Sequence, residues 1–177
     1  MKLIPQTGDW ILPCGKGGIS DIIKKVTFGK VNHAAIVFDR NTTFETDGAW
    51  WRAKFMDVKR FEGREVYIVR PLFYTPESLD KVQELCKKYE GTPYSYVDIG
   101  TNLLFFWLKD QIRAKIVRLM SNKKFMICSE LVARITYEAT KEKKLRDFEG
   151  MTPQMLLELA LNNPNLFIVE HTLFDLE

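Results

Sequence analysis

The sequence predicts an α+β fold, and three observations carry that prediction. Short β-rich runs fill the first 70 residues, capped helical patterns follow from Thr75 onward, and no repeat or low-complexity tract interrupts the chain. At 177 residues it suits one domain, residues 1–177, with a core large enough to need no staples. A hydrophobic fraction of 46% beside 28% charged residues is that of a globular protein rather than a disordered or fibrous one.

Taken in order, Trp10–Leu12 reads as a first short strand and Ile19–Val26 as a short helix with Ser20 at its N-cap. His33–Phe38 opens on histidine and runs through alanine, isoleucine, valine and phenylalanine, the pattern of a buried strand. After the turn-like Asp39-Arg40-Asn41 a second run, Thr43-Phe44-Glu45-Thr46, completes a hairpin. Glu65–Arg70 is the next strand, β-rich in its Val66-Tyr67-Ile68-Val69 centre. The spacing predicts a helix over Pro76–Tyr89: Thr75 caps it, Pro76 takes the first helical position and Gly91 closes it. Leu79, Val82, Leu85 and Cys86 share one face of this helix, so Cys86 is expected in the core.

Ile99–Leu108 is the most hydrophobic stretch, but it is ten residues long between Asp98 and Lys109. A membrane span needs about 20 apolar residues, so a buried helix is expected, with a lid or acyl-binding wall as the functional alternative. From Lys109 to Lys124 six basic residues stand against the single Asp110, while Ile112, Ile116, Val117 and Met120 recur at helical spacing. This basic amphipathic helix is either a solvated face packed by its apolar stripe or a peripheral contact with anionic membrane or wall polymer. Cys128 follows the apolar Phe125-Met126-Ile127 and opens a helical stretch, Ser129–Glu138. Pro153–Leu161 forms a last helix after Thr152, and Leu166–Val169 a closing strand.

The net charge of +3 is mild, and no nucleic-acid-binding motif accompanies the basic run, so nucleic acid is not an expected partner. Three cysteines, at 14, 86 and 128, form no Cys-x-x-Cys pair and no even set, which supports neither a disulfide framework nor a zinc site. No metal and no cofactor is expected. Cys14 adjoins the Gly-rich Gly15-Lys16-Gly17-Gly18, which lacks the Gly-Lys-Ser/Thr of a phosphate loop. Met1–Gln6 is broken by Pro5 and turns polar at once, unlike a signal peptide. A cytoplasmic protein is expected unless a leader precedes this chain.

Chemistry is concentrated at two places. Cys128 stands where a helix begins, and the positive end of the helix dipole there favours a thiolate. His33 is one of two histidines, and the hairpin brings the Glu45 carboxylate toward its ring. Alone, His33 reads as a core histidine and Cys128 as a small buried hydrophobe; together with Glu45 they read as nucleophile, base and orienting group. Asp47, two residues along the same strand face, is the reserve for Glu45. Trp50 and Trp51, just past Glu45, offer aromatic faces to a substrate. His171, near the C-terminus, has no motif around it.

The Gly8-Asp9-Trp10-Ile11-Leu12 segment, the Asn32-His33-Ala34-Ala35-Ile36-Val37-Phe38 strand, Phe44-Glu45, the Gly91-Thr92-Pro93-Tyr94 turn and the Ile127-Cys128-Ser129-Glu130-Leu131-Val132-Ala133 helix start resemble, in that order, the circularly permuted papain-fold amidases. These form the YiiX-like branch of the NlpC-type cysteine hydrolases, more distantly similar to lecithin retinol acyltransferase. The resemblance spans roughly residues 8 to 160, and histidine before cysteine is the permuted order. It departs at Ser95, where the family often has an aspartate. It implies an antiparallel sheet packed with helices, acyl-enzyme chemistry on Cys128, and a substrate-lining role for Tyr94, with Tyr96 its rival. The substrate class it implies is an amide, with peptide or cell-wall peptide ahead of a lipid amide or ester. A ligand-binding module that lost turnover is the reading from outside enzymology.

Overall fold

The computed structural model describes residues 3–15, 29–47, 52–95 and 126–175. Six strands, β1 (Trp10–Pro13), β2 (Ala35–Asp39), β3 (Thr42–Asp47), β4 (Arg52–Asp57), β5 (Glu65–Pro71) and β6 (Phe167–Leu173), form one sheet in the order β4-β3-β2-β1-β5-β6. Every pairing is antiparallel. Helices α1 (Pro76–Tyr89), α2 (Cys128–Thr140) and α3 (Pro153–Leu161) accompany it, so the class is α+β as expected.

Period-two alternation decides which side each strand residue serves. Trp10, Leu12, Ile36, Phe44, Tyr67 and Val69 join Val82, Leu85, Leu131, Ile135, Leu156 and Leu157 in the core between sheet and helices. Their neighbours Ile11, Ala35, Val37, Val66 and Ile68 enter a second, smaller cluster with Leu3, Val58, Phe61 and Phe174. β1 is therefore buried along its whole length, which is why its four residues are apolar throughout. Trp10 anchors the larger cluster; its indole N–H donates to the Thr136 hydroxyl of α2 at 3.1 Å, so burial costs it no hydrogen bond.

The helix caps follow their sequence signals. Thr75 Oγ1 accepts from the Ser78 N–H at 3.3 Å and Ser78 Oγ accepts from the Thr75 N–H at 2.8 Å, a reciprocal capping box. Gly91, just past the end of α1, has φ +80°, a conformation in which a side chain is strained. Thr152 Oγ1 accepts from the Met155 N–H at the start of α3. Cys86 is fully buried on the core face of α1.

The structure corrects several boundaries. β2 begins at Ala35, so His33 precedes the strand instead of opening it. β4 has no counterpart among the predicted strands, and β6 runs to Leu173 rather than ending at Val169. β1 gains Pro13, and the helix expected from Ser129 already includes Cys128. The expected helices Ile19–Val26, Ile99–Leu108 and Lys109–Lys124 lie outside the described residues, as do Trp50, Trp51 and Tyr96. Among the described residues no helix is long and apolar enough to cross a membrane.

Candidate active site

The hairpin register explains how a histidine meets a glutamate twelve residues on. Ile36 pairs with Phe44 and Val37 with Thr43, and one further step of this register sets Ala35 opposite Glu45, so the segment that leads into β2 carries His33 to the end of the hairpin where Glu45 stands. The contact is short: His33 Nε2 lies 2.6 Å from Glu45 Oε2. Glu45 is 1% exposed, so this carboxylate has left water for fixed partners. Thr43 Oγ1 donates to its other oxygen, Oε1, at 3.0 Å, and Arg60 Nη1 stands 2.9 Å from Oε2 as an ion pair. Burial alone would raise the Glu45 pKa, but the His33 hydrogen bond and charge, the Arg60 charge and the Thr43 hydroxyl bring it below the ordinary value.

Cys128 reaches the same ring from the helix layer. Its approach is fixed on one side by the turn at Pro93–Ser95: Met126 donates its N–H to the Pro93 carbonyl at 3.2 Å, and Ser95 donates to the Met126 carbonyl at 3.2 Å. Tyr94 thus bridges to the residue two before the cysteine, and it is itself buried. Ile127 is the N-cap of α2, extended at φ −82° and ψ 166°, and brings no side-chain acceptor to the first turn. Glu130 supplies part of what is missing. Its Oε2 accepts the Ile127 N–H at 3.1 Å and its Oε1 accepts the Gly150 N–H at 2.6 Å. Ser129 Oγ donates to the Met151 carbonyl at 2.6 Å, so the chain at Gly150–Met151 is tied twice to the cysteine turn. Gly150 sits at φ +78°, which explains glycine there.

The three groups are electrically linked. Burial alone would lower the His33 pKa; the Cys128 charge and hydrogen bond and the Glu45 hydrogen bond and charge outweigh it and push the ring up to about 10. With Nε2 given to Glu45, Nδ1 is the ring nitrogen left for the Cys128 sulfur. Cys128 is 4% exposed, and the His33 side chain 16%. The structure therefore brings Cys128, His33 and Glu45 into one connected chain and sets Tyr94 beside the segment that leads into it. Asp47 ends β3, but its side chain lies outside what is described, as do Trp50, Trp51 and Tyr96.

Three participants went unread in the sequence. Arg60 lies in the 3-10 turn Val58–Phe61, fifteen positions after Glu45, and a lone arginine in a basic turn gave no signal. Glu130 was visible as part of the helix start, but its tie to Gly150 is a long-range contact. Thr43 stands on the Glu45 face two residues before it, which alternation alone could have shown. His171 has a packing role, its ring stacked on Tyr67 with centroids 4.4 Å apart. A groove between α1 and α2, lined by Lys88, Tyr137 and Glu138, uses the far end of α2 and none of the three groups. Among the described residues no cluster of three or more His, Cys, Asp or Glu side chains is arranged to hold a metal ion.

No protein-family model and no curated protein sequence matches the chain. Among solved structures, the fold is similar to that of the metalloprotein yiiX from Escherichia coli O157:H7, of DUF1105, with a TM-score of 0.57. The match covers 96% of this chain and 90% of that one at 18% sequence identity, so it shows a yiiX-like fold.

Proposed function

We propose that this chain is a cysteine-dependent hydrolase of permuted papain-like architecture that cleaves amide bonds through an acyl-enzyme on Cys128. The observation that carries the proposal is the unbroken contact chain from the sulfur at a helix start, through His33, to a buried and ionised Glu45. The yiiX-like fold and the order of histidine before cysteine support the permuted arrangement.

In this reaction the Cys128 sulfur attacks the substrate carbonyl carbon. A C–S bond forms and the carbonyl π pair moves to oxygen, which the Cys128 backbone N–H faces at the start of α2. As the tetrahedral intermediate collapses, the C–N bond breaks and the His33 imidazolium gives its Nδ1 proton to the departing amine. Water then attacks the thioester, the now neutral imidazole takes its proton, and the sulfur leaves with the C–S electron pair. Glu45 holds the Nε2–H throughout, which fixes the ring orientation and leaves Nδ1 as the working nitrogen. Tyr94, with Tyr96, Trp50 and Trp51, is the proposed substrate contact.

The yiiX structure is that of a metalloprotein. His33 Nε2 and Glu45 Oε2 do not fit as co-ligands of a metal, because they stand 2.6 Å apart whereas two ligands of one zinc ion are separated by about 3.3 Å. No step of the proposed reaction runs through one.

Intact-mass spectrometry with short-chain peptide p-nitroanilides and acyl p-nitrophenyl esters of graded chain length tests the proposal. A covalent acyl adduct that disappears in Cys128→Ala, with amides turned over, is the expected result. Hydrolysis that survives Cys128→Ala would overturn it. Turnover restricted to long-chain acyl esters, with salt-sensitive flotation on anionic vesicles, would move the function to lipid acyl chemistry. Binding without any adduct would make the chain a ligand-binding module.

A further inference from the structure

We infer, on the basis of the proposed cysteine chemistry, that Arg60 is a positioning residue which keeps Glu45 an anion and confines the mobile proton to the side of the His33 ring that faces Cys128. Two cations meet one oxygen here: His33 Nε2 at 2.6 Å and Arg60 Nη1 at 2.9 Å both address Glu45 Oε2, while Thr43 occupies Oε1. Among the described residues, Lys54 is the register partner of Glu45 on β4, and Cys128 joins the cluster through the His33 ring.

A structural role alone does not explain why a second, permanent cation is placed there. When His33 gives up its proton to the leaving amine, the ring becomes neutral and Glu45 loses one of its two positive neighbours. A carboxylate 1% exposed to solvent is costly without a cation, so it would tend to take up a proton, and a protonated Glu45 would no longer hold the Nε2–H as a charged acceptor. Arg60 removes that pressure, because a guanidinium is a permanent cation that takes no part in the proton transfer. Its backbone is set to do so: Val58 and Phe61, on either side, are each 1% exposed in the smaller core, and the Asp57 side chain accepts the Lys59 N–H to start the turn. The guanidinium also lies 5.6 Å from the centroid of the Phe61 ring.

The charges can be counted. With Cys128 as thiolate, His33 as imidazolium, Glu45 as carboxylate and Arg60 as guanidinium, the cluster is neutral. Replacing Arg60 by a neutral residue leaves it one unit negative, so its titrating members bind protons more tightly.

The test is the pH profile of iodoacetamide alkylation at Cys128, read by peptide mass spectrometry, in wild type, Arg60→Met and Arg60→Lys. The expected result is a profile moved to higher pH by about one unit in Arg60→Met and restored in Arg60→Lys. A parallel rise in the pH at which His33 loses its proton, read by 15N NMR of the imidazole, is expected in the same variant. An Arg60→Met protein with reactive Cys128, native unfolding temperature and an unmoved profile would overturn the inference. So would a variant whose losses trace wholly to a lowered unfolding temperature, with Arg60→Lys equally impaired. Failure of the hydrolase reading shows up separately, as a wild-type Cys128 that iodoacetamide does not select.

Discussion

Glu45 binds three partners with two oxygens, and under the proposed chemistry removing it should have the consequences of losing an orienting group, not a substrate contact. Glu45→Gln is expected to lower kcat by about 100-fold or more with little change in KM, since a neutral amide neither attracts the imidazolium nor fixes its tautomer. A variant that loses affinity for substrate instead, with kcat intact, would contradict that role. His33 itself sets the pH dependence. Its folded-state pKa of about 10 lies above the ordinary 6.5, so the folded protein holds this proton more tightly than the unfolded chain. The resulting stabilisation is complete below about pH 6.5 and is lost as pH rises through about 10. Glu45 works in the opposite sense: its contribution is present above the ordinary value of 4.5 and is lost as pH falls through its lower folded value. Urea unfolding of wild type against His33→Gln should therefore show a gap near pH 6 that narrows above pH 10. A gap that stays constant would mean that His33 is not held protonated. At this scale the meeting of the three groups was readable, because cysteine and histidine are few and the hairpin spacing picks Glu45 out from the many glutamates. Arg60 was not, because a surface-like basic turn shows its target only after the chain has folded.

At the scale of elements, the start of α2 depends on a carboxylate that serves two backbone donors. Glu130→Ala orphans the Ile127 and Gly150 N–H groups, and each buried donor left unpaired costs about 1–3 kcal/mol. The expected outcome is a lower unfolding temperature together with slower alkylation of Cys128, because the cysteine turn and the Gly150 loop lose their common tie. Unchanged alkylation in a destabilised Glu130→Ala would confine this residue to stability. The elements most legible in sequence were those with local punctuation: α1 and α3 carry threonine caps followed by proline, and both fall where predicted. β4 escaped because Arg52-Ala53-Lys54-Phe55-Met56-Asp57 is an outer strand, charged along one side, whose order comes from pairing with β3 and from bonds to Gly91 and Thr92. The end of β6 was missed for the same reason. His171, Thr172 and Leu173 sit on the opposite outer strand, where exposure erases the apolar alternation.

At the scale of the molecule, the sheet carries two cores, and the site lies where residues from both meet. Arg60 comes from the turn that covers the smaller cluster, while Cys128 belongs to the larger one packed with the helices. Loss of packing at the centre should therefore reach the site without touching it. Trp10→Ala, which empties a fully buried position on the central strand and removes the donor to Thr136, is expected to cost about 3–5 kcal/mol. Denaturant titration checks this, and a cost below about 1 kcal/mol would mean that the helix layer is not seated on β1. That β1, β2 and β5 are strands was legible from their apolar and β-rich runs, but their division between two cores was not, because apolar residues fill both faces; the joining of His33 to Cys128 across nearly a hundred residues rested on chemistry rather than pattern. The central claim is that this joining makes Cys128 the nucleophile, and competitive iodoacetamide labelling near pH 6, mapped by mass spectrometry, tests it most directly. Cys86 is fully buried, and burial pushes its thiol up to about 12; Cys14 lies half-buried just past the end of β1. Cys128 is expected to be modified first, and His33→Ala to abolish its lead. Labelling of Cys14 or Cys86 as fast as Cys128, or a lead that survives without His33, would contradict it.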